Sequence, residues 1–450
     1  MSPCPWRAHI DRADPMCYNF RVGTESNEPY DIRETMHMKL NHFGETVRLA
    51  VLGLGSRGIG QMNTLLEMKD VDVTAVCDSY QDRADQAAGI VMKARGHMPF
   101  ATTDHDAAID RPDVDAVIIM TSWETHIPLA IKAMRCGKRP AIEVGGATSV
   151  EECWRLVRVS EETGIPVMML ENCCYGDKEL TLLHMIHEGV FGTVVHCAGA
   201  YSHDLRDEIG YGDINRHYRQ RHFLHRNGEF YPTHELGPIA NYLDINRGNR
   251  MLTLTSMASK ACGLHEWLVK NRQDCPELVN AQVNEGDVVT TLIKCANGET
   301  IQLTHDCTLP RFYSRGGVIR GTKGMWMENG RLIYLEGLTP VSDDDWAHHP
   351  ESDAKYLAQH LHPLWKEYRD FGIRGNHDGM DYLVLRAFVE SVQNQTEPPI
   401  DVYDAAAWMS ITALSEASIA AGSMPVAIPD FTSGRWVMPR KTPSREDFDR

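Results

Sequence analysis

The stretch that most constrains this chain is Val47–Asp78, VRLAVLGLGSRGIGQMNTLLEMKDVDVTAVCD. An apolar, β-branched run, Val47–Leu52, enters a glycine-rich turn, Gly53-Leu-Gly55-Ser-Arg-Gly58. A helical stretch follows, then a second apolar strand, Val71–Cys77, ending on Asp78, twenty positions after Gly58. Strand, G-x-G-x-x-G, helix, strand and acid form the fingerprint of a dinucleotide site. Gly53 permits the tight turn, Gly55 admits a pyrophosphate to the backbone, and Gly58 lets helix and strand pack closely. The helix N-terminus offers unpaired N–H groups and the positive end of a dipole. Asp78 accepts from ribose hydroxyls and repels a 2′-phosphate, which favours NAD over NADP. A glycine turn that serves packing alone is the plainer alternative.

The rest of the chain fits a large two-part α/β protein. Its 450 residues suffice for two domains. A net charge of −17, from 45 basic and 62 acidic residues, argues against nucleic acid or an anionic membrane as partner. No apolar stretch reaches bilayer length, and the N-terminus carries charges throughout with no apolar signal region. The twelve cysteines include no C-x-x-C pair and read as reduced, buried thiols, an expectation that suits the cytoplasm.

Residues 1–45 are polar and rich in turn formers, and read as an extension outside the core. From 46 to 170 strand and helix alternate as in a parallel sheet, with strands at Val114–Met120, Ala141–Val144 and Ile165–Leu170. Residues 171–450 change character. A helix over Thr181–Gly189 precedes a strand at Thr193–Tyr201. Further strands, at Met251–Ser259, Gly286–Cys295, Glu299–Cys307 and Gly316–Gly321, alternate as in an antiparallel sheet. Asn297-Gly298 marks a hairpin. Helices near Tyr382–Gln393 and Ala405–Ala421 follow. The expected fold is α/β: an N-terminal Rossmann domain with a doubly wound parallel sheet, then a C-terminal α+β domain with an open, mainly antiparallel sheet. That open face is the expected surface for a homo-oligomer.

Ligands of open α/β sheets bind beyond the carboxyl ends of the strands. That rule selects Ser56 and Arg57, Asp78, the stretch Thr121–His126, Glu143–Gly146, and Glu171 with Asn172. A helix starting near Pro128 would place Trp123 and His126 just ahead of it, as cofactor contacts or as caps. A denser cluster runs through Tyr201, His203, Asp204, Tyr218, Arg219, His225 and the segment Tyr231-Pro-Thr-His234-Glu-Leu-Gly237. Such polar and aromatic sequence is costly in a core and typical of a site. His234 has the side chain suited to proton transfer near neutral pH. Tyr231 is placed to hydrogen-bond a sugar or relay a proton, and Arg219 to polarise an oxygen. Thr233 capping a helix beside surface histidines is the other reading. No H-x-x-x-H or H-E-x-x-H spacing occurs among the 21 histidines, so no metal is expected.

These pieces together resemble the glucose–fructose oxidoreductase / inositol dehydrogenase / rhizopine-catabolism superfamily, and within it glycoside hydrolase family 109, the NAD-dependent α-N-acetylgalactosaminidases. The resemblance runs from Val47 to Trp436. It rests on GLGSRG at 53–58, SWETH at 122–126, EVGGA at 143–147, ENCCYG at 171–176 and RNGEFYPTHELGP at 226–238. YSRGGVIRGTKG at 313–324, HDGMDY at 377–382 and DVYDAAAW at 401–408 extend it. Dehydrogenases of the superfamily carry a Glu-Lys-Pro triplet whose lysine assists hydroxyl oxidation. Here the triplet is Glu143-Val144-Gly145.

The resemblance implies NAD contacts at Gly53, Gly55, Ser56, Arg57, Gly58 and Asp78. It adds Trp123, Glu124, Thr125 and His126, then Glu143, Val144 and Asn172, with Tyr231, Pro232, Thr233 and His234 lining the nicotinamide. It implies substrate contacts at Tyr201, Arg219, Tyr231 and Tyr313, with His234 and Tyr231 catalytic. It further implies NAD recycled at each turnover: C3 of the sugar is oxidised, the C2 proton is removed, the aglycone is eliminated, water adds at C1, and C3 is reduced again. Relatives usually read YPTHGLGP, so Glu235 departs from the pattern and is expected to alter which sugar substituent fits. A sugar or polyol dehydrogenase that releases NADH, and a non-catalytic NAD sensor, are the alternative readings.

Overall fold

The computed structural model describes residues 44–340, 348–439 and 448; the extension expected over 1–45 lies outside them except for its last two residues. The first sheet has six parallel strands: β1 (Val47–Leu52), β2 (Val71–Cys77), β3 (Phe100–Thr102), β4 (Ala116–Ile119), β5 (Arg139–Ile142) and β6 (Met168–Met169). Their order is β3-β2-β1-β4-β5-β6. The chain reverses direction across the sheet between β1 and β4, so a crevice opens above the carboxyl ends of those two strands. β1 and β4 are almost wholly buried and, apart from Arg48, apolar, as a sheet covered on both faces requires.

The second sheet has nine strands: β7 (Val194–Ser202), β8 (Met251–Ala258), β9 (Val288–Cys295), β10 (Thr300–Asp306), β11 (Val318–Gly321), β12 (Gly324–Met327), β13 (Leu332–Leu335), β14 (Glu351–Ser352) and β15 (Val426–Ala427). They are ordered β14-β13-β12-β11-β7-β10-β9-β8-β15. All neighbours pair antiparallel except β7 with β10, which run parallel in register from His196–Thr300 to Ser202–Asp306. Asn297 and Gly298 do turn the β9–β10 hairpin, Gly298 taking a φ of +108°. Short strands such as β3, β14 and β15 carry too few residues for an alternation to show.

One helix departs from expectation. It begins at Trp123 and runs to Arg135 with Pro128 inside it, not near Pro128. Proline costs a helix its bond to the carbonyl four residues back, and here that loss falls one turn into an otherwise well-formed helix. The helix Val402–Ala420 is apolar around most of its circumference and packs on β8, on β6 and on the helix Val150–Thr163. The helix Met380–Gln393 returns to the first sheet, where Arg386 Nη1 donates to both carboxylate oxygens of Asp70 at 2.8 Å in a fully buried pair. C-terminal sequence is thereby carried to the nucleotide crevice. Among the described residues, no helix is long and apolar enough to cross a membrane.

Candidate active site

Each glycine of the opening turn has a distinct physical reason. Gly53 adopts a φ of +88°, and a Cβ there would lie 2.5 Å from the Met120 backbone. A Cβ on Gly58 would fall 1.9 Å from the Gly53 carbonyl oxygen. A Cβ on Gly55 would meet only the Arg83 guanidinium, at 3.7 Å, so the space before it is open to a ligand backbone. The helix Ser56–Leu66 has no side-chain cap and no acid in its first turn, leaving its N–H groups for phosphate. Leu54 N–H donates to Asp78 Oδ2 at 2.7 Å and Tyr80 N–H to Oδ1 at 3.0 Å, which fixes the carboxylate at the ribose position. These residues fit NAD.

Toward the other end of the crevice, Arg57 Nε donates to Glu143 Oε2 at 3.2 Å and Nη1 to Asp381 Oδ2 at 2.7 Å. Asn172 Nδ2 donates to Asp381 Oδ1 at 2.8 Å, and His377 Nδ1 lies 2.8 Å from Oδ2. Burial would raise the Asp381 pKa, but the bonds from His377 and the Arg57 charge bring it down to about 2. Burial raises that of Glu143, against the pull of Arg57. His377 and Asp381 come from HDGMDY, a motif legible only as part of the family pattern and not as a site.

Beyond them Arg219 is sandwiched by aromatic rings, its Cζ 5.1 Å from the Tyr231 centroid, 5.6 Å from Trp123 and 5.9 Å from Tyr201. Its Nη1 donates to Glu208 Oε1 at 2.9 Å. The Tyr231 ring lies 4.3 Å from Tyr201 and edge-on to His234 at 4.8 Å. Burial raises the Tyr231 phenol well above its ordinary range and neighbouring Tyr201 adds to this, outweighing Arg219. His234 Nδ1 lies 2.7 Å from Oε1 of the fully buried Glu171, which also accepts from Cys173 N–H at 3.0 Å. Burial would raise the Glu171 pKa, yet the His234 ring and these bonds hold it below the ordinary value. An ionised carboxylate only accepts, so the proton sits on Nδ1 and Nε2 is left as the basic nitrogen.

A single cavity of about 740 Å³ joins both ends. Gly53, Gly55, Ser56, Arg57, Gly58 and Asp78 line it at the nucleotide end. Thr125, Glu143, Val144 and Asn172 form the middle, with Tyr201, Arg219, Tyr231 and His234 beyond. Other expected contacts fall elsewhere. His126 is buried with Nε2 2.9 Å from the Thr121 carbonyl oxygen, and desolvation brings its pKa down to about 4, so it braces its own helix. Glu124 pairs with Arg221 and His222. Pro232 and Thr233 are buried behind the cavity wall. Tyr313 is half exposed, edge-on to the cavity residue His203 at 5.3 Å. Glu235 does not line the cavity. It faces β7, where a Cβ on Gly199 would lie 2.6 Å from its own, so the expected effect on a sugar substituent has no geometric route.

The altered triplet has a packing cause. Gly145 has a φ of +136°, closed to proline, and a Cβ there would come within 2.3 Å of the Trp123 indole. Val144 is 1% exposed in the apolar cluster that Trp123, Tyr201 and Tyr231 share. Trp123 thus fills the space beside the triplet from behind the wall. Glu171, Cys173 and His234 have ligand atoms within 4.8 Å of one another, but Glu171 and His234 hold each other and Arg315 Nη1 donates to Cys173 Sγ at 2.9 Å.

Comparison with known proteins agrees with this geometry. The model described as "Glycosyl hydrolase 109, C-terminal domain" matches residues 175–438, and that of the "Oxidoreductase family, NAD-binding Rossmann fold" matches 47–171. The chain belongs to glycosyl hydrolase family 109. A family 109 protein of Stenotrophomonas maltophilia is 39% identical, covering 87% of this chain and 90% of that one. The alpha-N-acetylgalactosaminidase of Tannerella forsythia is 36% identical, covering 91% and 92%. Among solved structures, an NAD-binding oxidoreductase from Klebsiella pneumoniae has a TM-score of 0.63 at 15% identity, covering 85% of this chain and 99% of its own. Myo-inositol dehydrogenase from Lactobacillus casei, solved with NAD(H) and myo-inositol, has a TM-score of 0.56 at 16% identity, covering 86% and 99%. This family 109 member is therefore a hydrolase on an oxidoreductase-like fold, with NAD as its cofactor.

Proposed function

We propose that this family 109 protein removes α-linked N-acetylgalactosamine or a closely related sugar from its glycosides, with His234 as the base that takes the C2 proton. NAD, when bound, would supply the acceptor for the hydride of sugar C3, with the O3 proton passing to solvent, and both would return to the sugar at the end of each cycle. A carbonyl at C3 acidifies the C2–H bond. His234 Nε2 then removes that proton, and the C1–O bond breaks with its electron pair passing to the aglycone oxygen. Water adds at C1, its surplus proton passing to the departed aglycone oxygen, and the imidazolium returns its proton to C2. Glu171, 2.7 Å from Nδ1, stabilises the imidazolium that exists between these steps. Tyr231, its phenol held protonated by burial, donates a hydrogen bond to a sugar oxygen. Arg219 supplies positive charge for oxygens that become electron-rich. No oxocarbenium ion is needed, and so the chemistry does not call for the paired carboxylates of ordinary glycosidases. The observation that carries this reading is His234 oriented by a buried carboxylate, while the place of the dehydrogenase lysine is taken by buried Val144.

Gly53–Gly58, Asp78, Arg57, Glu143 and Asn172 hold the nucleotide in this reading, and Tyr201, Arg219 and Tyr231 the sugar. Domains at 46–170 and 171–450, and a homo-oligomer through the outer face of the second sheet, belong to it as well. Val195, Met257 and Leu292 stand exposed on that face. Thiols such as Cys77, Cys153, Cys197 and Cys295, buried and outside any disulfide, suit a reducing compartment such as the cytoplasm.

Nitrophenyl α- and β-glycosides, followed at one wavelength for nitrophenol and at another for NADH, test the proposal. Nitrophenol release without net NADH supports it. NADH accumulation on free sugars without nitrophenol favours a dehydrogenase, the activity named for the inositol dehydrogenases that share the fold.

A further inference from the structure

The segment 212–217 lies across the nucleotide end of the cavity, which Asn215, Arg216 and His217 line. Its root is rigid. The guanidinium of Arg272, 1% exposed, donates to both carboxylate oxygens of Asp213 at 2.7 and 2.9 Å. Asn215 Nδ2 donates to the Glu208 carbonyl at 3.3 Å, and across the crevice the tip is tied at the surface by Tyr80 and by the first turn of the helix Gln81–Arg95 that follows Asp78. Arg216 Nη1 donates to Asp82 Oδ1 and Oδ2, both at 2.9 Å, and its Cζ sits 4.3 Å above the Tyr80 ring. Arg83 Nη2 donates to the Asn215 carbonyl at 3.0 Å. Arg216 itself has φ +57° and ψ +43°, a left-handed conformation that a non-glycine residue adopts at a cost. Tyr80, Arg83, Asn215 and Arg216 line the same cavity as Asp78 and Gly55.

We propose that 212–217, ahead of the helix that carries Arg219, is a latch over the adenosine end of the site, with Arg216 as its bolt, and that it holds NAD in place from one turnover to the next. A cofactor oxidised and restored within one cycle gains nothing from leaving, whereas a dehydrogenase must exchange it every turnover. The tip contacts are an exposed ion pair, a cation–π contact and one hydrogen bond from a guanidinium to a carbonyl, each modest at the surface. They are strong enough together to slow release, and weak enough to open when NAD must enter. The reason for a latch rests on the recycled NAD of the proposed function, but its test reads NAD release alone and so is separate from that of glycosidase activity.

The test is the dissociation rate of NADH from the full chain, read by stopped-flow fluorescence as excess NAD displaces it. Arg216→Ala and Asp82→Ala are each expected to release NADH about tenfold faster, equivalent to about 1.4 kcal/mol. The double variant is expected to release it no faster than Arg216→Ala alone, because both remove one contact. Raised salt should speed release from the unsubstituted protein and not from Arg216→Ala. Dissociation rates within twofold of the unsubstituted protein would overturn the latch, even if the melting temperature fell, since a merely structural pair would move only the latter.

Discussion

Glu171→Gln keeps the side chain's size and removes its charge. In the folded chain Glu171 Oε1 accepts from two donors, His234 Nδ1 at 2.7 Å and Cys173 N–H at 3.0 Å, with the carboxylate fully buried. A hydrogen bond to a charged partner contributes about 1.5–3 kcal/mol and a neutral one about 0.5–1.5. The substitution therefore lowers support for the His234 imidazolium by about 1–2 kcal/mol, roughly 5- to 30-fold in rate. The loss falls in the proton-transfer step, so kcat on a nitrophenyl glycoside should drop by that factor while the NAD dissociation constant stays within about twofold. The new amide turns one acceptor of a buried site into a donor, so the melting temperature should also fall, by the equivalent of about 1–3 kcal/mol. His234→Ala should cost far more activity than NAD affinity, and adding Glu171→Gln to it should cost nothing further. A kcat within twofold of the unsubstituted enzyme, or full additivity of the two changes, refutes the dyad.

Asp78→Ala removes the acceptor set by the Leu54 and Tyr80 N–H groups. Titration should show NAD binding weakened about 10- to 100-fold, by analogy with charge-assisted bonds of about 1.5–3 kcal/mol, and discrimination against NADP reduced. Glu229 bears on stability. Burial pushes its carboxyl from an ordinary 4.5 up to about 8, although Tyr231 N–H donates to it at 3.2 Å. Between about pH 4.5 and 8 the native state therefore holds a proton that the unfolded chain has lost. The contribution of Glu229 to stability should fall as pH rises across that window and level off beyond it. Glu229→Gln should flatten the melting temperature there, and an unchanged slope would count against a neutral Glu229.

The nucleotide half of the protein was open to sequence reading because its logic is local. Strand, turn, helix and acid all lie within Val47–Asp78, and the conformation each glycine must adopt follows from its immediate neighbours. The second sheet was legible as alternation, down to the Asn297-Gly298 hairpin, but the parallel pairing of β7 with β10 was not, since alternation carries no direction. Glu171 could be picked from its place after a strand. That it would grip His234, 63 residues later, could not. Asp381 reaches Arg57 across 324 positions because a late helix packs back on the first sheet. His126 looks like a cofactor contact in sequence, yet turns to a carbonyl of its own helix cap.

The sequence by itself determined the nucleotide fold, the cofactor and the family, because these rest on short-range backbone demands and a long run of matching motifs. Only the tertiary structure decided which titratable groups face one another. It set His234 on Glu171, buried Val144 beside Trp123, and laid Arg216 over Tyr80. Such pairings depend on where distant segments come to pack, and a one-dimensional pattern of residue types does not carry that distance.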